Sequence, residues 1–144
     1  MGDRANVKMD FGNGEAVYLY THWGGSTLPA DVQKAIKKHT ERWADPSYLS
    51  RIILCAMIPE KEHTEGTGYG ISTYVPDNDG YPVIIVRCGD IHPSFPSRGT
   101  IPSTVSFQKI NHKRNPTGEP LMVWTFDEYI KADTEDLCRI FAEE

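Results

Sequence analysis

The sequence lacks the features that mark membrane-spanning and disulfide-stabilised proteins. No apolar run approaches the ~18–20 residues that a membrane-spanning helix needs, and the chain starts with strand-like alternation instead of a signal-peptide pattern. Its cysteines, Cys55, Cys88 and Cys138, are odd in number and widely spaced, which argues against a disulfide framework or a CxxC zinc knuckle. We therefore expect a cytoplasmic protein with no membrane partner, whose cysteines behave as small buried apolar side chains.

Positive charge is also scarce. The chain has 15 Lys and Arg against 20 Asp and Glu, a net charge of −5, whereas domains that bind duplex nucleic acid usually carry a clear basic excess. We therefore do not expect duplex nucleic acid as a partner. Residues 127–144 alone account for −5, while residues 91–118 contain no acid and several basic residues. This acid-free segment could contact a phosphate or the acidic tail of a second copy, or form an ordinary solvated loop.

Signatures of the common catalytic and cofactor sites are missing as well. The sequence has no GxSxG nucleophile elbow and no HExxH metal motif. His63-Thr64-Glu65 and Asp90-Ile91-His92 each offer only two metal ligands, whereas a structural zinc ion takes four. The glycine-rich stretch from Gly66 to Gly70 leads into a strand, and phosphate-binding loops instead lead into a helix N-terminus. We expect neither a metal nor another cofactor.

Hydrophobic periodicity predicts a single α+β domain over residues 1–144. Residues 5–11 and 17–23 alternate between apolar and polar side chains, as strands do, and Gly12-Asn13-Gly14 between them predicts a hairpin. Helical spacing and capping residues predict helices over 29–43 and from Asp45-Pro46 to Met57. The rest of the pattern predicts strands over 69–75, 82–87, 104–110 and 121–124, then two short helices that open at Thr125 and Asp133.

The predicted order ββααβββ(β)αα sets the expected architecture. It suggests a mixed or antiparallel sheet with the helical pair packed on one face, and with successive strands joined by hairpins except where the two helices cross over. One such hairpin would join strands 69–75 and 82–87 through the turn Asp77-Asn78-Asp79-Gly80. The stretch Val83-Ile84-Ile85-Val86 is apolar on both faces, which is typical of an interior strand.

The most informative stretch is the end of the second predicted strand. Thr21-His22-Trp23-Gly24-Gly25 brings an imidazole, an indole and two peptide units without side chains to one place. As a ligand site, it would use Trp23 or Tyr20 for stacking and the backbone amides of Gly24 and Gly25 as donors. The alternative is structural: Trp23 anchors the core, the glycines form a turn, and His22 is a surface residue with its hydrogen bonds satisfied.

Two further residues are candidates for completing this site. Arg51 lies on a helix that is otherwise crowded with apolar residues, and a buried guanidinium needs a carboxylate, a carbonyl or a ligand as partner. Tyr69 follows the glycine-rich stretch, which could bring its ring to the rim of a ligand site. A structural ion pair for Arg51 and a simple turn before Tyr69 are the alternatives.

Three blocks form a distinctive pattern in the first half of the chain: Tyr18-Leu19-Tyr20-Thr21-His22-Trp23-Gly24-Gly25; Arg42-Trp43, Asp45, Tyr48-Leu49, Arg51-Ile52-Ile53 and Met57-Ile58; and Thr67-Gly68-Tyr69-Gly70-Ile71-Ser72. Through these blocks, residues 5–75 resemble a group of small proteins found in bacteriophage and plasmid-borne gene sets, a group with no established activity. The resemblance supplies no catalytic residue. It implies a setting in an infected host cell, where phage accessory proteins of this size often act against host defence.

These features lead to three functional hypotheses. The first is a non-enzymatic binding protein that sequesters a small polar, nucleotide-like ligand, or occludes a host defence protein, at the end of the second strand. The second is a small hydrolase or phosphodiesterase with His22 or His92 as general base. The third is an oligomeric assembly protein that uses an exposed face formed by Tyr18 and Tyr20.

Overall fold

The computed structural model describes residues 2–62, 66–90, 99–110 and 119–143. Within these residues the strands are β1 (Ala5–Asp10), β2 (Ala16–Thr21), β3 (Tyr69–Ser72), β4 (Val83–Arg87), β5 (Thr104–Gln108) and β6 (Met122–Thr125). The helices are α1 (Leu28–Lys38), α2 (Pro46–Met57), α3 (Phe126–Lys131) and α4 (Thr134–Glu143). In this part of the chain, no helix combines the length and the apolar character needed to cross a membrane.

The strands form one sheet in the order β3-β2-β1-β4-β5-β6. Strands β1 and β4 run parallel, and the other neighbouring pairs run antiparallel. The sheet is therefore mixed, and the predicted α+β class and element order are confirmed.

All four helices pack on one face of the sheet. Alternate strand residues such as Val7, Leu19, Ile84 and Phe107 are buried in one core cluster together with apolar residues of every helix. A smaller cluster on the opposite face contains Tyr18, Val75, Val83 and Ile85. Strand β4 contributes to both clusters, which confirms the predicted interior strand.

The predicted turn between β1 and β2 and the predicted caps of α2, α3 and α4 are confirmed. Gly12 and Gly14 have positive φ angles of 82° and 84° in the β1–β2 hairpin. The Asp45 side chain accepts the Tyr48 amide at the start of α2, and Thr125 forms a capping box with Glu128 at the start of α3. Before α4, the Asp133 carboxylate accepts the Asp136 amide at 3.0 Å.

The first predicted helix is too long, because α1 ends at Lys38 rather than at residue 43. The backbone leaves the helical region at His39, with φ −129° and ψ 61°, and a 3-10 turn follows over Thr40–Arg42. This turn brings the Trp43 indole back toward α1, where its N–H donates to the carbonyl of Ile36 at 2.9 Å. The hydrogen bond satisfies a carbonyl near the end of α1, where carbonyls lack helical partners.

The predicted hairpin between residues 69–75 and 82–87 is wrong. Strand β3 pairs with β2, and β4 pairs with β1 and β5. The expected turn is instead bound to the start of the sheet. The Asp79 amide donates to the Arg4 carbonyl at 2.8 Å, and the Asn6 side-chain amide donates to the Asp77 carbonyl at 2.6 Å. These long-range contacts carry the chain past β2 and β1. Strand β4 therefore pairs with β1 on the side that faces away from β2 and β3.

The cysteines do not all behave as predicted. Cys55 is exposed on α2, so its expected burial is wrong. Cys88 and Cys138 are partly buried, and burial raises the pKa of both thiols, that of Cys88 to about 12. These two cysteines are therefore protonated and weakly reactive at neutral pH.

Candidate ligand site at the end of strand β2

The backbone of His22 is held from both sides, one residue beyond the end of β2. Its amide donates to the carbonyl of Gly68 at 2.8 Å, and its carbonyl accepts the amide of Asp3 at 2.7 Å. The hydrogen-bonding pattern of the sheet therefore continues past β2, and the position from which the His22 ring projects is fixed.

A tyrosine fixes the orientation of the His22 ring. The Tyr20 hydroxyl lies 2.8 Å from His22 Nδ1, and both side chains lie on the sheet face opposite the helices. Burial and the nearby Asp77 carboxylate raise the pKa of Tyr20, so its hydroxyl is protonated at neutral pH and can donate to Nδ1. Within the described residues Nε2 has no hydrogen-bond partner, which leaves it available to a ligand.

Trp23 presents an indole that is half exposed and yet well supported. Its exposure is 50%, which contradicts the alternative that Trp23 anchors the core. The indole packs edge-on against the His22 ring, with centroids 4.9 Å apart and planes at 78°. It also lies on Gly68, since a Cβ added there would be 2.1 Å from Trp23 Cζ3. The absence of a side chain at Gly68 is therefore what allows this position of the indole.

The two glycines after Trp23 do not have the predicted role. The Gly24 amide donates to Thr21 Oγ1 at 3.0 Å, and the Gly25 amide donates to the Asp3 carbonyl at 2.8 Å. Both amides are thus engaged within the chain, and the prediction that they donate to a ligand is wrong. Gly25 instead permits a close approach, because a Cβ there would lie 2.6 Å from the Asp3 carbonyl oxygen and 2.7 Å from Tyr81.

Tyr69 does not join the His22 cluster. It pairs with Thr21, whose buried side chain lies on the helical face of the sheet, so the Tyr69 ring lies on that face as well. Burial raises its pKa, and the neighbouring Glu62 and Asp31 carboxylates add to the shift. The expected position of Tyr69 beside His22 is therefore wrong.

Arg51 is also separated from the strand end. It is exposed on α2 and lines a groove between α1 and α2, so its guanidinium needs no internal partner, and the prediction that Arg51 completes the site beside His22 is wrong. Of the predicted site residues, the structure therefore brings together Tyr20, His22 and Trp23, with the two glycines as structural support.

Next to this cluster lies a group of three charged residues that was not predicted from the sequence. Arg4 Nη2 lies 2.9 Å from Asp79 Oδ1, and Arg4 Nη1 lies 4.0 Å from Asp77. The Arg4 hydrogen bonds hold the pKa of Asp79 below its ordinary value, and the nearby His22 adds to this effect. Arg4 is therefore engaged by carboxylates beside His22. The only sequence signal was the pair of aspartates in the stretch interpreted as a hairpin turn.

A third carboxylate, that of Asp3, is engaged below the strand end. It accepts the Tyr81 hydroxyl and, at 2.8 Å, the Ser26 amide. Burial raises the pKa of Asp3, but these hydrogen bonds outweigh burial and lower it below the ordinary value. Asp3 therefore remains ionised and ties the N-terminal segment to the turn after Trp23.

Comparison of the chain with protein-family models, curated proteins and solved structures finds no significant match. What the site can do is therefore inferred from its own residues.

The described residues offer little for metal chemistry. Among them, no group of three or more His, Cys, Asp and Glu is placed to hold a metal ion. His63, Glu65 and His92, which were weighed as metal ligands or as a general base, lie outside the described residues. The same is true of most of the acid-free segment 91–118.

The cluster at the strand end is suited to binding. Trp23 offers a flat apolar surface that is accessible from solvent, and His22 offers one ring nitrogen beside it. The described ring contacts of His22 are those to Tyr20 and Trp23. Neither neighbour is a nucleophile that His22 could activate in the usual serine or cysteine manner.

Proposed function

We propose that this protein binds a small polar ligand at the end of β2 and acts by sequestering it, without turnover. The observation that carries the proposal is the half-exposed indole of Trp23, held in place by His22 and by the bare backbone of Gly68. An aromatic side chain that is already positioned loses little conformational freedom on binding, so more of its contact energy contributes to affinity.

The local charges narrow the class of ligand. Arg4 beside the cluster is already paired with Asp79, so it is not available to bind a phosphate placed on Trp23. A flat ring that is neutral or cationic would stack on the indole and accept a hydrogen bond from His22 Nε2. A nucleotide-like ligand would therefore place its base on Trp23 and direct its phosphates away from the aspartates.

The biological setting that we propose rests on the resemblance of residues 5–75 to phage and plasmid-borne proteins. In the cytoplasm of an infected host, a protein that removes a small signal molecule would leave a defence effector inactive. Sequestration needs no catalytic residue, in keeping with the contacts described for His22.

Native mass spectrometry of protein purified from expressing cells tests this proposal. Wild type should carry a bound small molecule at one per chain, and a variant with His22→Ala and Trp23→Ala should lose it while remaining folded. Tyr48→Ala is the matched control, because Tyr48 is 51% exposed and Trp23 is 50% exposed. Retention of the molecule by the folded double variant would reject the site. Release of a chemically changed product, with a bell-shaped pH profile, would favour the hydrolase hypothesis instead.

A protein partner is a second candidate, favoured by the surface around β3. This edge strand exposes Ile71 at 62%, and Tyr74 just beyond it is 66% exposed. These two side chains give an apolar border to an edge strand, a surface that can pair with a strand of another protein. The hypothesis of an oligomeric assembly requires an exposed face formed by Tyr18 and Tyr20. Tyr18 is only 8% exposed, so the expectation that this face is exposed is wrong.

A further inference from the structure

A second candidate site lies on the helical side of the molecule. The outer surfaces of α1 and α2 enclose a groove of about 400 Å³, which is within the range of small-molecule sites. Its floor is apolar and includes Ala35, Ile52 and Ala56. Cys55, Ile58 and Pro59 also line it, and its polar and charged residues are Lys34, Lys38, His39, Arg51 and Glu60.

The groove concentrates positive charge in a protein whose net charge is −5. Its lining holds three cations, Lys34, Lys38 and Arg51, and one carboxylate, that of Glu60. His39 Nδ1 lies 3.4 Å from Glu41 Oε1, so this imidazole already has an acidic neighbour. Asp31 lies near Lys34 outside the groove, but burial raises its pKa to about 7, so it neutralises Lys34 only in part at neutral pH.

Arg51 differs from the other described arginines. Arg4, Arg42, Arg87 and Arg139 each lie within 4.0 Å of an aspartate or glutamate. Arg51 forms no ion pair with any residue between 2 and 143 that the structure describes. A guanidinium that is left without a carboxylate can offer its planar set of donors to an external anion.

The lysines place two further charges around the same groove. Lys38 lies in the last turn of α1, where a cation also stabilises the helix dipole. Lys34 and Arg51 lie in the interiors of their helices, so stabilisation of the helix dipole does not explain why these positions carry a positive charge. We infer that the groove between α1 and α2 binds the phosphate groups of a small phosphorylated molecule, with Arg51 as the bidentate contact and Lys34 and Lys38 as flanking charges.

This site is separate from the strand end, since no groove residue belongs to the Tyr20–His22–Trp23 cluster. Loss of one site should therefore leave the other intact. A protein with the double change His22→Ala and Trp23→Ala should bind a phosphate probe in the groove as wild type does, which keeps failure of the two proposals distinguishable.

Inorganic pyrophosphate and the Cys55 thiol provide a direct test. Cys55 is exposed and lines the groove, whereas Cys88 and Cys138 are partly buried with raised pKa values. Alkylation by iodoacetamide, which is uncharged, should therefore occur first at Cys55. Saturating pyrophosphate should slow this reaction several-fold, and sodium chloride at equal ionic strength should not. An unchanged alkylation rate in pyrophosphate would overturn the inference.

Calorimetric titration of charge variants completes the test. Lys34→Ala with Arg51→Ala should weaken pyrophosphate binding at least tenfold. Lys37→Ala with Lys131→Ala removes the same charge from the neighbouring cleft, which shares Lys34 with the groove, and affinity should stay within twofold of wild type. Equal losses in the two variants would show a general charge effect and refute the site. Should the first variant fail to fold, Arg51→Gln alone must lower the affinity, and wild-type affinity in that variant would equally refute it.

Discussion

Replacing Gly68 by alanine should displace the Trp23 indole without removing any residue that contacts the ligand. The added Cβ would lie 2.1 Å from Trp23 Cζ3 and 2.4 Å from Cε3. Nonbonded carbon atoms approach each other to about 3.5–4.0 Å, so the indole must retreat by roughly 1.5 Å or swing into solvent. Because Trp23 is half exposed, its indole has room to swing into solvent.

The cost in stability follows from the indole surface that is lost to solvent. About half of a Trp side chain that can bury ~200 Å² is covered here, so complete release would cost at most ~2.5 kcal/mol. Part of this loss is offset, because Gly→Ala at a position without a positive φ lowers the entropy of the unfolded chain and so stabilises the folded state by ~0.4–1 kcal/mol. We expect the free energy of unfolding to fall by ~1–2 kcal/mol.

Urea unfolding and native mass spectrometry measure the two consequences. Gly68→Ala should lower the unfolding midpoint and the amount of copurified small molecule together. Gly70→Ala is the matched control, because it lies two residues further along the chain, within β3, and an added Cβ there meets nothing within 4 Å. If both variants unfold at the same urea concentration and retain the ligand equally, the described support of the indole by Gly68 is refuted.

Three further predictions concern stability, pH and the sheet edge. Burial raises the pKa of Asp31 from 3.8 to about 7, so the folded state holds this proton more tightly and stability falls as pH rises through that interval. Asp31→Asn should therefore raise the free energy of unfolding above pH 7 by ~1–2 kcal/mol, a value reduced because Asp31 is partly in contact with solvent. Near pH 4 the same substitution should change the free energy of unfolding little. An equal effect at both pH values would contradict this prediction. Thr125→Ala removes the capping box of α3 and should cost ~1 kcal/mol in urea unfolding, and a change close to zero would count against the cap. Ile71→Lys lies on an exposed edge, so it should alter stability by less than ~0.5 kcal/mol and remove any protein that copurifies with wild type; unchanged copurification would discard the second candidate function.

The parts of the fold that depend on local signals were predictable from the sequence. The capping residues Asp45, Thr125 and Asp133 mark helix starts because their side chains satisfy amides only a few residues away. The Gly12–Gly14 turn and the apolar strand β4 were predictable for the same reason, since backbone preference and burial on both faces leave a local pattern.

Strand pairing was not predictable where distant contacts decide it. The stretch 77–80 has the composition of a hairpin turn, but Arg4 and Asn6 bind it some seventy residues away in sequence, so β4 joins β1 in parallel. Local composition describes the turn residues alone and carries no information about a partner on another strand. The end of α1 was missed in a similar way, because it depends on the hydrogen bond from Trp43 to Ile36.

The candidate site shows the same division. The proximity of Tyr20, His22 and Trp23 follows from spacing along one strand, and it was predicted. The amides of Gly24 and Gly25 donate to Thr21 and Asp3 and are therefore not available to a ligand. The spacing of residues along the sequence does not show which backbone amides already have a hydrogen-bond partner. Arg51 looked buried because its neighbours in sequence are apolar, yet it projects from the outer side of α2.

The indole N–H signals in a ¹⁵N-labelled sample provide the most direct test of the Trp23 site. The chain contains three tryptophans, so Trp43 and Trp124 serve as internal references. When the small-molecule fraction of expressing cells is added to protein freed of its ligand, the Trp23 indole signal should shift while the other two stay in place. A Trp23 signal that stays fixed while signals elsewhere in the protein move would contradict the account.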